Sequence, residues 1–172
     1  MTSVQDRCRA IATFRHVSVA LMETIARWTP LIAEMEAKVM FGRHIWDFAQ
    51  HADALGKRTF ELRQPEHYTL RPAGSYDSLL SDLKETEGTS ERVAAIYEAI
   101  LPGLTERYRR YLSETDSILD QPSVVILERI VRDLERMRSE AAALQRTLNL
   151  TEGAAALAAR ERSIPSMVAQ RV

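Results

Sequence analysis

Long runs of apolar residues spaced by three and four, interrupted by proline and glycine mainly where the runs end, most restrict what this chain can fold into. The first run is Ile11, Phe14, Val17, Leu21, Ile25 and Trp28, one stripe of an amphipathic helix. Thr2-x-x-Gln5 has capping-box spacing at its start. Thr29-Pro30 reads as an N-cap followed by proline at the first position of a second helix. That helix runs to about Arg63 and closes at Gln64-Pro65, with Gly42 as its weak point. A third helix spans Ser90 to Leu119, kinked at Pro102-Gly103 because the ring displaces the Glu98 carbonyl. A fourth follows Asp120-Gln121-Pro122, from about Ser123 to Asn149. Residues 64–89 form a connection far longer than usual, with room for one short helix from Tyr76 to Glu87. Thr151–Arg162 adds a short helix, and the segment SIPSMVAQRV looks loosely held. The expectation is an all-α four-helix bundle, residues 1–150, with a long crossover between helices 2 and 3; 151–172 forms a short C-terminal helix and tail.

Charge narrows the partners. The 23 basic and 24 acidic side chains leave a net −1, so no one-signed field is available to grip nucleic acid or an anionic membrane. The single cysteine, Cys8, near a frayed terminus, excludes an intrachain disulfide. The start MTSVQDRCRA lacks the apolar run of a signal peptide, and no stretch reaches the roughly 18 apolar residues of a membrane span. A cytoplasmic protein is expected. A homodimer through an exposed helix face or the terminal segment is compatible with this pattern.

The second helix carries the chemistry. Its apolar stripe is Ala33, Ala37, Phe41, Ile45, Phe48, Ala52, Leu55 and Leu62, and His44 and His51 fall inside it, two turns apart. Glu34 and Lys38 lie at one edge; Glu36, Asp47 and Arg58 lie at the other. Asp47 is four residues before His51, so its carboxylate is expected to reach the imidazole and raise its basicity. Two histidines on one apolar face imply a polar network or a wet pocket, since buried polar groups need partners. The third helix turns Tyr97, Tyr108 and Tyr111 inward, where each hydroxyl needs a partner. On the fourth, Arg138 sits near the core edge as a candidate anion contact, while Glu128 and Glu135 read as solvated charges. His16 and Glu23 on the first helix read as surface residues.

The segments ALMETIARWTPLIAEMEAKVMFGRHIWDFAQHADALGKRTFELR and LPGLTERYRRYLSETDSILDQPSVVILERIVRDLERM, residues 20–63 and 101–137, resemble members of the ferritin-like superfamily. The resemblance implies the one-crossover bundle and, as its usual chemistry, a di-iron or di-manganese centre held by Glu and Glu-x-x-His from facing helices. That motif is missing: Thr13, Phe41, Phe48 and Gln64 stand three residues before the four histidines. Ala37 stands where Glu34 would need a histidine, and Leu134 and Met137 occupy a corresponding pair on the fourth helix.

Three functions stay open. The first is a cofactor-free enzyme acting on a largely apolar small molecule by elimination, addition, isomerisation or cyclisation. His44 or His51 would be its acid or base, with Asp47 or Glu36 as orienting group. Glu34, Lys38, Phe41, Phe48, Tyr97, Tyr108, Tyr111 and Arg138 would contact substrate. The second is a metal-dependent oxidase or oxygenase with an altered iron or manganese ligand set. The third is a non-catalytic helical binding or interaction protein whose polar interior specifies packing.

Overall fold

Ser3 starts the first helix: its hydroxyl accepts from the Asp6 N–H at 3.1 Å while the Asp6 carboxylate accepts from the Ser3 N–H at 3.2 Å. This is the reciprocal cap that the sequence placed one residue earlier; Thr2 lies outside the described residues. A computed structural model describes residues 3–63, 68–150 and 153–169, and all its regular structure is helical. In order come α1 (Val4–Trp28), a 3₁₀ turn (Thr29–Leu31), α2 (Met35–Glu61), α3 (Gly74–Lys84), α4 (Thr89–Ala94), a π turn (Ala95–Ile100), α5 (Leu101–Glu114), α6 (Gln121–Leu148) and α7 (Ala155–Ser163). Segment α4, the π turn and α5 run on as one rod, so the described residues form six helices. None is long and apolar enough to cross a membrane.

Several boundaries moved for identifiable reasons. Thr29-Pro30 opens a 3₁₀ turn and not the second helix; α2 begins at Met35 after an extended Glu34. Glu34 makes no cap bond within α2 and instead accepts from the Thr89 hydroxyl at 2.7 Å, joining the starts of α2 and α4. Gly42 leaves α2 unbroken, and the closing Gln64-Pro65 lies outside the described residues. Pro102 also causes no break. Proline cannot donate to the Glu98 carbonyl, and the rod widens into a π turn just before it, where the Leu101 N–H reaches back to the Ile96 carbonyl. Helix α6 begins two residues earlier than expected, at Gln121, and Asn149 in the left-handed region ends it.

The six apolar residues expected for α1 are all buried. They merge with Phe41, Phe48 and Leu55 of α2, Ile96, Ile100 and Leu104 of the π rod, and Leu127, Leu134 and Met137 of α6 into one core. Each such side chain removed from water contributes about 1.5–3 kcal/mol. Cys8, expected at a frayed end, is fully buried in this core. The end of the chain is also held. Ile164 and Met167 are buried, the Met167 carbonyl accepts from the Ala73 N–H at 2.8 Å, and Arg9 donates to the Ala169 carbonyl at 2.9 Å. Residues 163–169 are therefore packed where a loose tail was expected, because Arg9 and Arg107 satisfy their carbonyls.

Candidate functional site

Helix α2 buries its two histidines completely: His44 is 0% exposed and His51 is 3%. Their partners come from other helices. The Tyr97 hydroxyl, carried by the π turn, lies 2.6 Å from His44 Nδ1. His44 Nε2 lies 3.2 Å from Glu140 Oε2, on α6. Two turns along, His51 Nε2 lies 3.1 Å from Asp133 Oδ2. The seven-residue step from His44 to His51 thus meets a seven-residue step from Glu140 back to Asp133, as antiparallel helices in register require. Arg136 sits between the two pairs. It donates to Glu140 at 2.9 Å and to Asp47 at 2.8 Å, and it lies 3.6 Å from Asp133. Arg43 adds a second donor to Glu140 at 3.2 Å.

Electrostatics assign the protons. Burial pushes both imidazoles below their usual 6.5, outweighing the hydrogen bonds and charge of Glu140 and Asp133, which push the other way. Both rings are neutral at neutral pH, so the expected rise in basicity does not occur: desolvation wins. Burial would raise the Glu140 carboxyl, yet hydrogen bonds from Arg136 and His44 prevail and hold it below 4.5. Burial, with the Glu140 charge, pushes the Tyr97 phenol well above 10. The chain of bonds therefore reads Tyr97 O–H to Nδ1, then Nε2–H to the Glu140 carboxylate. His51 is less complete. Its Nδ1 is buried without a hydrogen-bond partner among the described residues, and the imidazole packs at right angles to the Phe48 ring.

The predicted residues separate into groups. His44, His51 and Tyr97 belong to this seam. Asp47 borders it but bonds Arg136 and not His51, since α6 supplies His51 with a nearer carboxylate. Phe41 and Phe48 are fully buried and pack on the rings of Tyr97 and His51. Tyr108 is core, 4.7 Å from Phe14, and Tyr111 donates to Asp120 at 2.6 Å; the three tyrosines do not face one cavity. Glu34 is occupied by Thr89, and Lys38 is half-buried. Glu36 is exposed and lines an open groove of about 520 Å³ with Met35, Val39, Met40, Arg43, Glu140 and Leu144. Arg138 lines a different cavity, between α5 and α7.

Glu140, Asp133 and Arg136 were missed from sequence because they flank the α6 stripe, where charges are ordinarily solvated. The matching seven-residue spacing was the available signal. Glu135, one of the carboxylates considered instead, is exposed and accepts from Arg109.

The residues do not fit a metal centre of the ferritin-like kind. Among the described residues no three His, Cys, Asp or Glu side chains converge as ligands. The two histidines are about 10 Å apart along the helix, and each spends a ring nitrogen on a different carboxylate.

No family model, curated protein or solved structure matches this chain.

Proposed function

We propose that this chain acts on a largely apolar small molecule by acid–base chemistry at the α2–α6 seam, on a bundle of ferritin-like topology in which the segment around α3 is the crossover. One observation carries the reading. The relay Tyr97–His44–Glu140 runs through a fully buried histidine and ends on a carboxylate 30% exposed in the groove. Glu140 is then the group that meets substrate, with Met35, Val39, Met40 and Leu144 as apolar walls and Glu36 at the rim. His44 is a positioning residue: its Nε2–H fixes the carboxylate oxygen, and Tyr97 fixes its tautomer. Tyr97 at its origin sits on a π turn, a departure from helical regularity found frequently at functional sites.

The test is hydrogen–deuterium exchange at carbon acids, followed by NMR in D₂O over a panel of apolar ketones and esters. Exchange faster than in buffer, reduced roughly 100-fold in Glu140→Gln and less in His44→Ala, is the expected result. No exchange above buffer, or an unchanged rate in Glu140→Gln, overturns the proposal.

A second reading rests on the fact that both nitrogens of His44 are already satisfied, as a network that merely specifies packing requires. It predicts that Glu140→Gln alters thermal stability and nothing else.

A further inference from the structure

On another face, α5, α6 and α7 enclose a cavity of about 570 Å³ that shares no residue with the seam. Arg107 is part of its lining. Arg107 Nε donates to Glu161 at 2.6 Å, and its terminal nitrogen donates to the carbonyls of Glu161 and Ile164 at 2.8 and 2.9 Å. Glu161 is 1% exposed. It can seat there because residue 103 is glycine: a Cβ at that position would fall 1.8 Å from Glu161 Oε2. The pair is self-neutralised. Arg109 is likewise spent, on Glu106 and Glu135.

Three further guanidinium groups line the same cavity, one from each helix: Arg110, Arg138 and Arg162. None of their side chains makes an ion pair or hydrogen bond to another described residue, and the two carboxylates that line the cavity, Glu106 and Glu161, are both already engaged. At the seam, by contrast, Arg43 and Arg136 are each ion-paired. Ala99, Pro102, Ile164 and Pro165 add apolar surface to the same lining. Surface arginines are ordinarily solvated singly; here three line one concavity of the size that holds small molecules. Guanidinium forks match carboxylate and phosphate oxygens bidentately.

We propose that this cavity binds a small organic anion, its carboxylate or phosphate head held by Arg110, Arg138 and Arg162 and its apolar body lying over Pro102, Ile164 and Pro165. The site is independent of the seam chemistry and stands if that reading fails.

The probe is 8-anilinonaphthalene-1-sulfonate, an aromatic anion, titrated by fluorescence against the whole chain. N-phenyl-1-naphthylamine, the same body without the charge, is the control. Saturable one-to-one binding of the sulfonate is expected, weakened about tenfold or more in Arg110→Gln/Arg138→Gln/Arg162→Gln. The neutral dye should bind both proteins alike. A second variant, Arg27→Gln/Arg63→Gln/Arg71→Gln, removes equal charge from exposed positions outside the cavity and should bind as the wild type does. Displacement by octanoate or by phenyl phosphate identifies the head group. Unchanged sulfonate affinity in the first variant, equal weakening in the second, or displacement by neither competitor overturns the proposal. All three cavity arginines are exposed, and circular dichroism confirms that the variants remain folded.

Discussion

Asp120 and Glu140 each gather arginine and hydroxyl or imidazole donors between helices, and they differ in where the gathering ends. Asp120 is fully buried and accepts from Arg58 at 3.0 Å, Ser123 at 2.7 Å, Tyr111 at 2.6 Å and Thr115 at 2.9 Å. Arg58 donates to Ser123 as well. Every lone pair is used inside the protein, and the cluster locks the ends of α2, α5 and α6 together. Glu140 collects His44, Arg43 and Arg136 but remains partly open to the groove. A polar cluster that closes on itself is a clamp. One that runs from the core to a concave surface has an end at which another molecule can be met.

That contrast can be broken most directly by removing the carboxylates. Asp120→Ala leaves buried Arg58 without its buried counter-charge, with only the exposed Glu61 still paired to it, and should cost about 3–5 kcal/mol in urea denaturation. Glu140→Gln keeps hydrogen-bonding capacity at a half-open position and should cost under about 1 kcal/mol. Equal losses would erase the distinction. Tyr97→Phe removes the donor to His44 Nδ1 and strands a buried acceptor, for a loss of about 1–3 kcal/mol. No loss would mean that water replaces the hydroxyl and reaches His44 Nδ1.

Acidification sharpens the comparison. His44 and His51 have folded values below 6.5, so the unfolded chain takes up protons first as pH falls below that point. Stability should therefore decline from about 6.5 downward, until the folded rings titrate. Burial raises the Asp120 carboxyl, but hydrogen bonds from Ser123, Tyr111, Arg58 and Thr115 hold it below 3.8. Its stabilisation is present above that value and is lost only at lower pH, as the folded carboxyl titrates. A two-stage decline in urea stability between pH 7 and 3 is expected, with the upper stage flattened in His44→Gln/His51→Leu. The smallest effect is that of His51→Leu alone. Losing the bond to half-exposed Asp133 is offset by removing an unpartnered buried nitrogen, so stability should stay within about 1 kcal/mol. A larger loss would show that His51 Nδ1 has a partner such as a bound water.

The α1 and α2 stripes, and the placement of His44 and His51 inside the second, were legible because helical periodicity projects sequence onto faces without knowledge of neighbours. Asp133 and Glu140 were not, because a charge flanking a stripe becomes an internal partner only when a facing helix brings a histidine to its level. The same limit misassigned Asp47. An i,i+4 carboxylate is always geometrically available along one helix, but Arg136 and Asp133 compete for the two partners, and only packing decides between them. Pro102 announced an irregularity, yet its form as a π turn that delivers Tyr97 to His44 depended on how the rod meets α2 and α6.

By itself, then, the sequence determined an all-α chain, the approximate limits of its long helices and the burial of two histidines, all consequences of local spacing and propensity. Tertiary structure decided the axial register of α2 against α6, and with it which carboxylate each histidine meets and which one opens to the surface. It also set the protonation of the rings. Their pKa depends on the balance between desolvation and a neighbouring charge, and both terms exist only once the helices have packed.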